Sequence, residues 1–321
     1  MPSSRKISAH QTTSEREQPT LSPEDLTPVR PTPVIAANGV PVLRIAAWDK
    51  PGSRTSAWLW HGLSTRIGGL SRAYCAEDAP GEMNLGFTAH DDREIVARNR
   101  RLLVEAVTGN SETPLITLRQ IHSSVLVVGS ASTADRSAPW KGDGLMTNEP
   151  GLLLGVQTAD CIPVLVADRK RRVVAAFHAG WRGTVKRIVE SGVGRMRLEF
   201  GSRPEDLTAA IGPGVGPCCY AVGEEVLSSF ESQFPYGREL FHEAHDADPA
   251  HSRASSLHID LVEANRRQLL AAGLKPTAVH ATGGCTSCMS HLFFSHRASG
   301  GHAGRMMSVI GVRPRKAGNS A

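Results

Sequence analysis

Residues 151–183, GLLLGVQTADCIPVLVADRKRRVVAAFHAGWRG, decide how the chain is read. Three apolar runs, GLLLGVQT, CIPVLVAD and RRVVAAFHAG, are each too short and too rich in β-branched residues for a helix. Gly, Pro, Asp and charged turns separate them, so they read as consecutive strands. Each run ends in side chains of a different character. Gln157-Thr158-Ala159-Asp160-Cys161 follows the first strand, and His178-Ala179-Gly180-Trp181-Arg182-Gly183 closes the third. A strand that opens into a glycine-rich loop is where folds built on sheets place their chemistry.

Upstream, VPVLRIAAW from Val40 reads as a strand, and LWHGLSTRIGGLS as a strand running into a Gly-Gly turn. Arg93 to Val107 sets Ile95, Val96, Asn99, Leu102, Leu103 and Val107 near one face, which makes an amphipathic helix. LITLRQIH and SVLVVG are further strands around His122. Downstream, TVKRIVESGVGRMRLEF reads as a helix, LTAAIGPGVGP as a strand ending in a Gly/Pro loop, and VEANRRQLLAAG as a helix closed by Gly273. TAVHATGG and MMSVIGV are the last strands. Strands and helices mix without regular βαβ alternation, which gives an α+β class with a mixed sheet. No repeat and no break in composition divides residues 40 to 313, so one domain is expected. The tail 1–38, rich in Ser, Thr, Pro and Glu, buries too little to offset its chain entropy and is expected to be disordered. A catalytic domain over 39–313 and a C-terminal tail over 314–321 complete the expected organisation.

The chain has 321 residues and a formal net charge of +5, part of which sits in Arg5, Lys6, Arg313, Arg315 and Lys316 at its two ends. Aromatic residues are only 5%, which disfavours a nucleic-acid surface built on base stacking. The N-terminus has no apolar secretory core, and no run approaches the roughly 18 to 20 apolar residues of a membrane helix. A reducing cytoplasm is therefore the expected compartment, with the six cysteines as thiols or metal ligands rather than disulfides.

His122, Cys161 and His178 are ligands of the type zinc prefers, and three protein ligands leave a fourth position for chemistry. Their separations, 39 and then 17 residues, carry no metal signature by themselves. From the residues alone, Cys161 as a small core residue and His122 as a satisfied strand-end histidine are equally good readings. Asp160 beside Cys161, Arg182 four residues after His178, and Gly180 and Gly183 between them favour a site.

The same residues carry a resemblance. TADCIPVLVAD and VAAFHAGWRGT, with RQIHSS upstream, resemble the family of the bacterial peptidoglycan editing factor, long labelled polyphenol oxidase or laccase-domain proteins. Vertebrate relatives of that family act as purine nucleoside phosphorylases. The likeness runs from about residue 40 to residue 312, through STRIGGLS, MNLG, Asn99-Arg100, KGDGLMTNEPG, IGPGVGPCCYAVG and the CT, FFSHR and GR segments that end at Arg305. It implies a four-layer α/β/β/α fold with a mixed β-sandwich core and zinc on His122, Cys161 and His178. It also implies phosphorolysis of adenosine, inosine and methylthioadenosine, with adenosine deamination besides. Asp143 matches the family's Asp, here followed by Gly where Ala is usual. Either Asp143 or Asp160 is a candidate proton shuttle. Arg66, Arg182 and Arg297 are candidate contacts for substrate, the first two for phosphate. His296 stands where the family has Tyr.

Two other chemistries stay open on the residues. One is a hydrolase acting on cell-wall precursors, with Cys161 as nucleophile and His122 or His178 as base. The other is a copper oxidase, disfavoured because the chain has no His-x-His pair, although copper could bind the same three ligands. A second metal on Cys285-Thr-Ser-Cys288 with Cys218-Cys219 is not expected, because adjacent cysteines do not easily share one ion. A purine nucleoside and phosphate are the expected partners, with no nucleic acid and no membrane. Monomer and homodimer stay equally open.

Overall fold

Leu153–Thr158, Ile162–Asp168 and Val174–Ala179 are three consecutive strands in which all but one residue is buried. That is why their apolar runs are continuous rather than alternating: both faces of each strand are covered. The computed structural model describes residues 31–53, 55–134, 139–245 and 255–315.

In chain order the elements begin with β1 (Val34–Ile35), β2 (Pro41–Leu43), a short helix α1 (Ala46–Asp49), β3 (Leu59–Ser64) and β4 (Ile67–Ser71). The long helix α2 (Arg93–Thr108) is followed by β5 (Leu115–Thr117), β6 (Leu126–Val128), α3 (Ala131–Ala134) and β7 (Gly144–Thr147). The three central strands are β8, β9 and β10. After them come α4 (Trp181–Val185), α5 (Ile188–Phe200), β11 (Leu207–Ile211), β12 (Ala221–Val222) and α6 (Glu224–Gln233). β13 (Phe241–His245), β14 (Ser255–Ile259), α7 (Leu261–Ala271), β15 (Val279–Ala281) and β16 (Met306–Val312) complete the chain.

Two six-stranded mixed sheets face one another. One runs β1-β2-β3-β16-β8-β5 and the other β15-β11-β9-β10-β7-β6, with parallel pairs only at β5/β8, β6/β7 and β11/β15. Leu63, Leu154, Val156 and Ile310 from the first sheet meet Leu165, Ala167, Val174 and Ala176 from the second in the shared core. The alternate residues of the same strands point outwards. Val164, Val166, Ala175 and Phe177 pack under Val189, Val193 and Met196 of α5 and Leu269 of α7. Leu153, Met307 and Val309 pack under Leu103, Val104 and Val107 of α2. The order helix, sheet, sheet, helix is thus written in the period-2 alternation of strands that are apolar throughout.

Helix α2 starts where Asp92 accepts hydrogen bonds from the amides of Glu94 and Ile95, and it stops at Gly109 in the left-handed conformation. Its buried Asn99 donates to Ser71, Glu82 and Asn84 and accepts from the amide of Leu70, which pins the 70–84 segment to the helix.

Four expectations needed adjustment. The strand at Val40 stops at Leu43, and Ala46–Asp49 is helical. Gly68 and Gly69 lie inside β4 rather than in a turn. Helix α6 and the three-stranded sheet β12-β14-β13 occupy a region for which the sequence suggested no element. Val34 and Ile35 pair with Val42 and Pro41, ahead of the domain start expected at residue 39. The expected N-terminal tail up to residue 30, and the end of the C-terminal tail from residue 316, lie outside the described residues.

Helix α5 lies so close to β10 that a Cβ at Gly192 would stand 2.3 Å from the Phe177 ring. Gly192→Ala is therefore expected to destabilise the protein. A gain of about 1 kcal/mol in helix propensity is outweighed by overpacking that costs roughly 1–3 kcal/mol. A thermal midpoint equal to or above that of the wild type would show that α5 shifts freely over the sheet.

Candidate metal centre

Two connections cross from the first sheet to the second at the same end of the sandwich. The chain leaves β5 at Thr117 and enters β6 at Leu126, passing through His122. It leaves β8 at Thr158 and enters β9 at Ile162, passing through Asp160 and Cys161. His178, near the end of β10, and Asp143, just before β7, lie at that end too, because β10 pairs with β7 and β9 in antiparallel register there. Residues 39 and 17 positions apart are brought together by topology alone.

The ligand atoms of His122, Cys161 and His178 all lie within 4.8 Å of one another. His122 Nε2 is 3.9 Å from Cys161 Sγ, and the two imidazoles meet edge to face at 5.0 Å. Ligands held at about 2.0–2.3 Å from a tetrahedral ion stand roughly 3.5 Å apart, so the three donors fit one metal with little movement. Gly180 makes the approach possible: a Cβ there would lie 2.9 Å from Cys161 Sγ and 3.2 Å from His122 Cδ2.

His178 bonds Asp143 Oδ1 through Nδ1 at 2.9 Å, which leaves Nε2 for a ligand. Asp143 also accepts from the amides of Ile121, His122 and Ser123 and from Ser123 Oγ. These donors hold its carboxyl down at about 2 against the effect of burial. The same bonds keep His122 in a left-handed backbone conformation, φ +57°. Burial pushes the Cys161 thiol up, but His178 and His122 beside it bring it down to about 6. His178 is raised to about 9 despite its burial, by Cys161 and Asp143.

The site opens into a cleft of about 1200 Å³. His122, Cys161 and His178 line it, together with Phe87, Tyr220, His296 and five arginines: Arg93, Arg100, Arg119, Arg297 and Arg305. Among the described residues none of the five makes an ion pair. Arg100 is held by Leu85 O at 2.8 Å, and burial together with nearby Arg93 pushes it down to about 10. The Arg93 and Arg100 guanidiniums lie 4.6 and 4.2 Å from the Phe87 ring. Burial, with the Cys161 charge, pushes the Tyr220 phenol up to about 12.

Four candidate residues are placed otherwise than the sequence suggested. Asp143 is fully buried beneath His178 and orients it, so it has no path to a substrate proton. Asp160 has φ +88° and borders the cleft, but its carboxylate is taken up by other partners. Its oxygens accept from Thr286 Oγ1 at 2.6 Å and the Arg297 amide at 2.7 Å, tying two loops to the crossover. Arg66 is bound to Glu82 and Ser290 O, packs on Phe294 and does not line the cleft. Arg182 is exposed and stacks on Trp181 at 4.3 Å, beside the cleft rather than within it. Arg297 is in the cleft. Arg93, Arg100, Arg119, Arg305 and Tyr220 were assigned no role by the sequence, although Asn99-Arg100 lies in one of the motifs that carry the resemblance.

Fold and donor set together define a metal-capable α+β domain with its site at one end of a β-sandwich. The chain belongs to the multi-copper polyphenol oxidoreductase laccase family, whose model matches residues 60–313. It is 38% identical over 256 residues to a purine nucleoside phosphorylase of Bacteroides thetaiotaomicron, covering 78% of this chain and 90% of that protein. It is 33% identical over 216 residues to adenosine deaminase RL5 from an unknown prokaryotic organism, covering 65% of this chain and 79% of that one. The crystal structure of YlmD from Geobacillus stearothermophilus superposes with a TM-score of 0.74 at 32% identity, covering 89% of this chain and all of that one. Among the described residues no helix is long and apolar enough to cross a membrane.

Proposed function

We propose that the protein is a zinc-dependent purine nucleoside phosphorylase acting on adenosine, inosine and methylthioadenosine, and that it also deaminates adenosine. One observation carries the reading: the His122/Cys161/His178 donor set lines the same cleft as five arginines that have no carboxylate partner among the described residues. The relatives named for phosphorolysis and for deamination support the substrate class.

His122, Cys161 and His178 would hold the zinc, with Asp143 fixing the His178 tautomer. A zinc ion supplies Lewis acidity and an activated water for attack at the purine C6. In phosphorolysis a phosphate oxygen bonds C1′ of the ribose as the bond to the base breaks, giving free base and ribose 1-phosphate. Arg93 and Arg100, fixed against Phe87, form a rigid fork for that phosphate. Arg305, packed on Leu85 and Gly86 next to Phe87, and Arg297 add positive charge to the cleft. The Tyr220 phenol keeps its proton at neutral pH and serves as a donor to the nucleoside.

Arg100→Gln removes a charge-assisted contact worth about 1.5–3 kcal/mol. The KM for phosphate is expected to rise at least about tenfold, with the KM for nucleoside changing less than about threefold. Arg182→Ala, from the rim, is expected to have the smaller effect. An unchanged KM for phosphate in Arg100→Gln would remove the fork.

The decisive test incubates metal-quantified protein with adenosine, with and without phosphate. Adenine and ribose 1-phosphate are expected only with phosphate, and inosine in both. Neither product appearing would overturn the reading. The low Cys161 thiol also suits a nucleophile, the basis of a hydrolase acting on cell-wall precursors. That chemistry would survive removal of the metal by a chelator, whereas the proposed one is lost. The family's copper label is less well served. Among the described residues the donor sets are one His/Cys/His group and one group of four cysteines, not the histidine-rich sites of laccase-type coppers.

A further inference from the structure

Cys218 and Cys219 end the Gly/Pro-rich loop after β11, and Cys285 and Cys288 lie in the segment after β15. Their four sulfur atoms lie within 4.8 Å of one another. Cys288 Sγ is 3.3 Å from Cys219 Sγ and 3.5 Å from Cys218 Sγ. Four thiolates around a tetrahedral ion at about 2.3 Å stand roughly 3.8 Å apart, which falls inside the observed spread.

The adjacency of Cys218 and Cys219, which argued against a shared ion, is resolved by the backbone. The amides of Cys219 and Tyr220 both donate to Gly216 O at 3.0 Å, and this tight turn brings both sulfurs to Cys288. Two further features are those of a thiolate centre. The backbone amides of Gly216, Ser287 and Cys288 donate to Cys285 Sγ, the first at 3.1 Å, as outer partners of a metal ligand do. Glycine at 216 lets the cluster close up, since a Cβ there would crowd Cys285 Cβ at 3.1 Å and Cys218 Sγ at 3.3 Å. All four cysteines are free thiols, and none lines the cleft.

We propose that Cys218, Cys219, Cys285 and Cys288 form a second, structural metal site for a thiophilic divalent cation, zinc by preference. It is closed, with four protein ligands and no open position, and it joins two segments of the cleft wall. The loop of Cys218 and Cys219 supplies Val215 and Tyr220, and the segment of Cys285 and Cys288 continues into His296, Arg297 and Arg305. Besides the ion, the two segments are linked through Asp160, by the Gly214–Cys285 bridge, by the Gly216 bond to Cys285 and by Arg297, which donates to Ala221 O and lies over the Tyr220 ring.

The full-length protein, purified anaerobically with reductant, should contain two zinc ions per chain by elemental analysis. Cys161→Ala should retain one, and the double variant Cys218→Ser/Cys288→Ser should also retain one. In case the double variant fails to fold, cobalt loading of the Cys161→Ala protein gives an independent readout. Intense thiolate-to-cobalt charge transfer with tetrahedral visible bands is expected. A Cys161→Ala protein with no zinc and no such spectrum would overturn the second site. So would two thiols fewer by titration because a disulfide had formed. If Cys161→Ala kept both ions, the centre at His122 would fail and the four-cysteine site would stand.

Discussion

Cys161→Ala is expected to lose the ion at His122 and His178 and to turn over adenosine and inosine at least about 10³-fold more slowly, because Lewis acidity and ligand geometry leave together. The sulfur is the member of the set that both histidines face. His122 Nε2 lies 3.9 Å from it, and its charge raises His178 to about 9. Removing it also leaves an imidazole pair with nothing to gather around. The fold should tolerate the change, since the crossover is held by Asp160 through Thr286, Arg297 and Val215 rather than by the thiol. Zinc content, circular dichroism and turnover on one preparation check this. A folded, metal-depleted variant with wild-type turnover would mean that the metal is not part of the chemistry.

Asp143→Asn should be nearly as damaging although it touches no substrate. The carboxylate satisfies the His178 imidazole, three consecutive amides and the Ser123 hydroxyl. An amide offers one acceptor oxygen and one donor nitrogen. On either rotamer a donor therefore faces a donor, at the Ser123 amide (2.6 Å in the wild type) or at His178. The expected losses are about 2–3 kcal/mol of stability and a 10- to 100-fold drop in metal affinity, the latter because His178 loses its charged partner. Chelator competition and thermal unfolding would measure the two separately. A drop in stability with unchanged affinity would show that Asp143 holds the loop but does not tune the ligand.

The sequence showed the strands of the sandwich clearly, because buried-on-both-faces strands leave long apolar runs in residues 151–183. It showed less where polar loops carry the chain. Helix α6 has a modest apolar pattern that only its packing on α4 organises, and the small sheet beside it is as weakly marked. At the site, residue type found His122, Cys161 and His178, while spacing could not, because contact between them depends on crossovers that no short motif encodes. Adjacency misled at Asp160: beside Cys161 in sequence, it spends both carboxylate oxygens on Thr286 and the Arg297 amide. Arg66 and Arg182 suggested phosphate by residue type, but their partners are Glu82 and Trp181. Arg93 and Arg100 were legible only as one flank of an amphipathic helix. Nothing in the sequence shows that this flank borders the cleft.

Cys161 and His178 sit at the adjoining ends of β9 and β10 in one sheet, whereas His122 rides on the crossover that arrives from β5 of the other. An ion held by all three works as a clasp, tying that crossover down onto the strand ends of the second sheet. Its binding free energy then adds to the cohesion of the whole core, growing as RT ln(1 + [M]/Kd). The slowest-exchanging amides of β9, β10 and β16 should report metal occupancy although none of those three strands supplies more than one ligand.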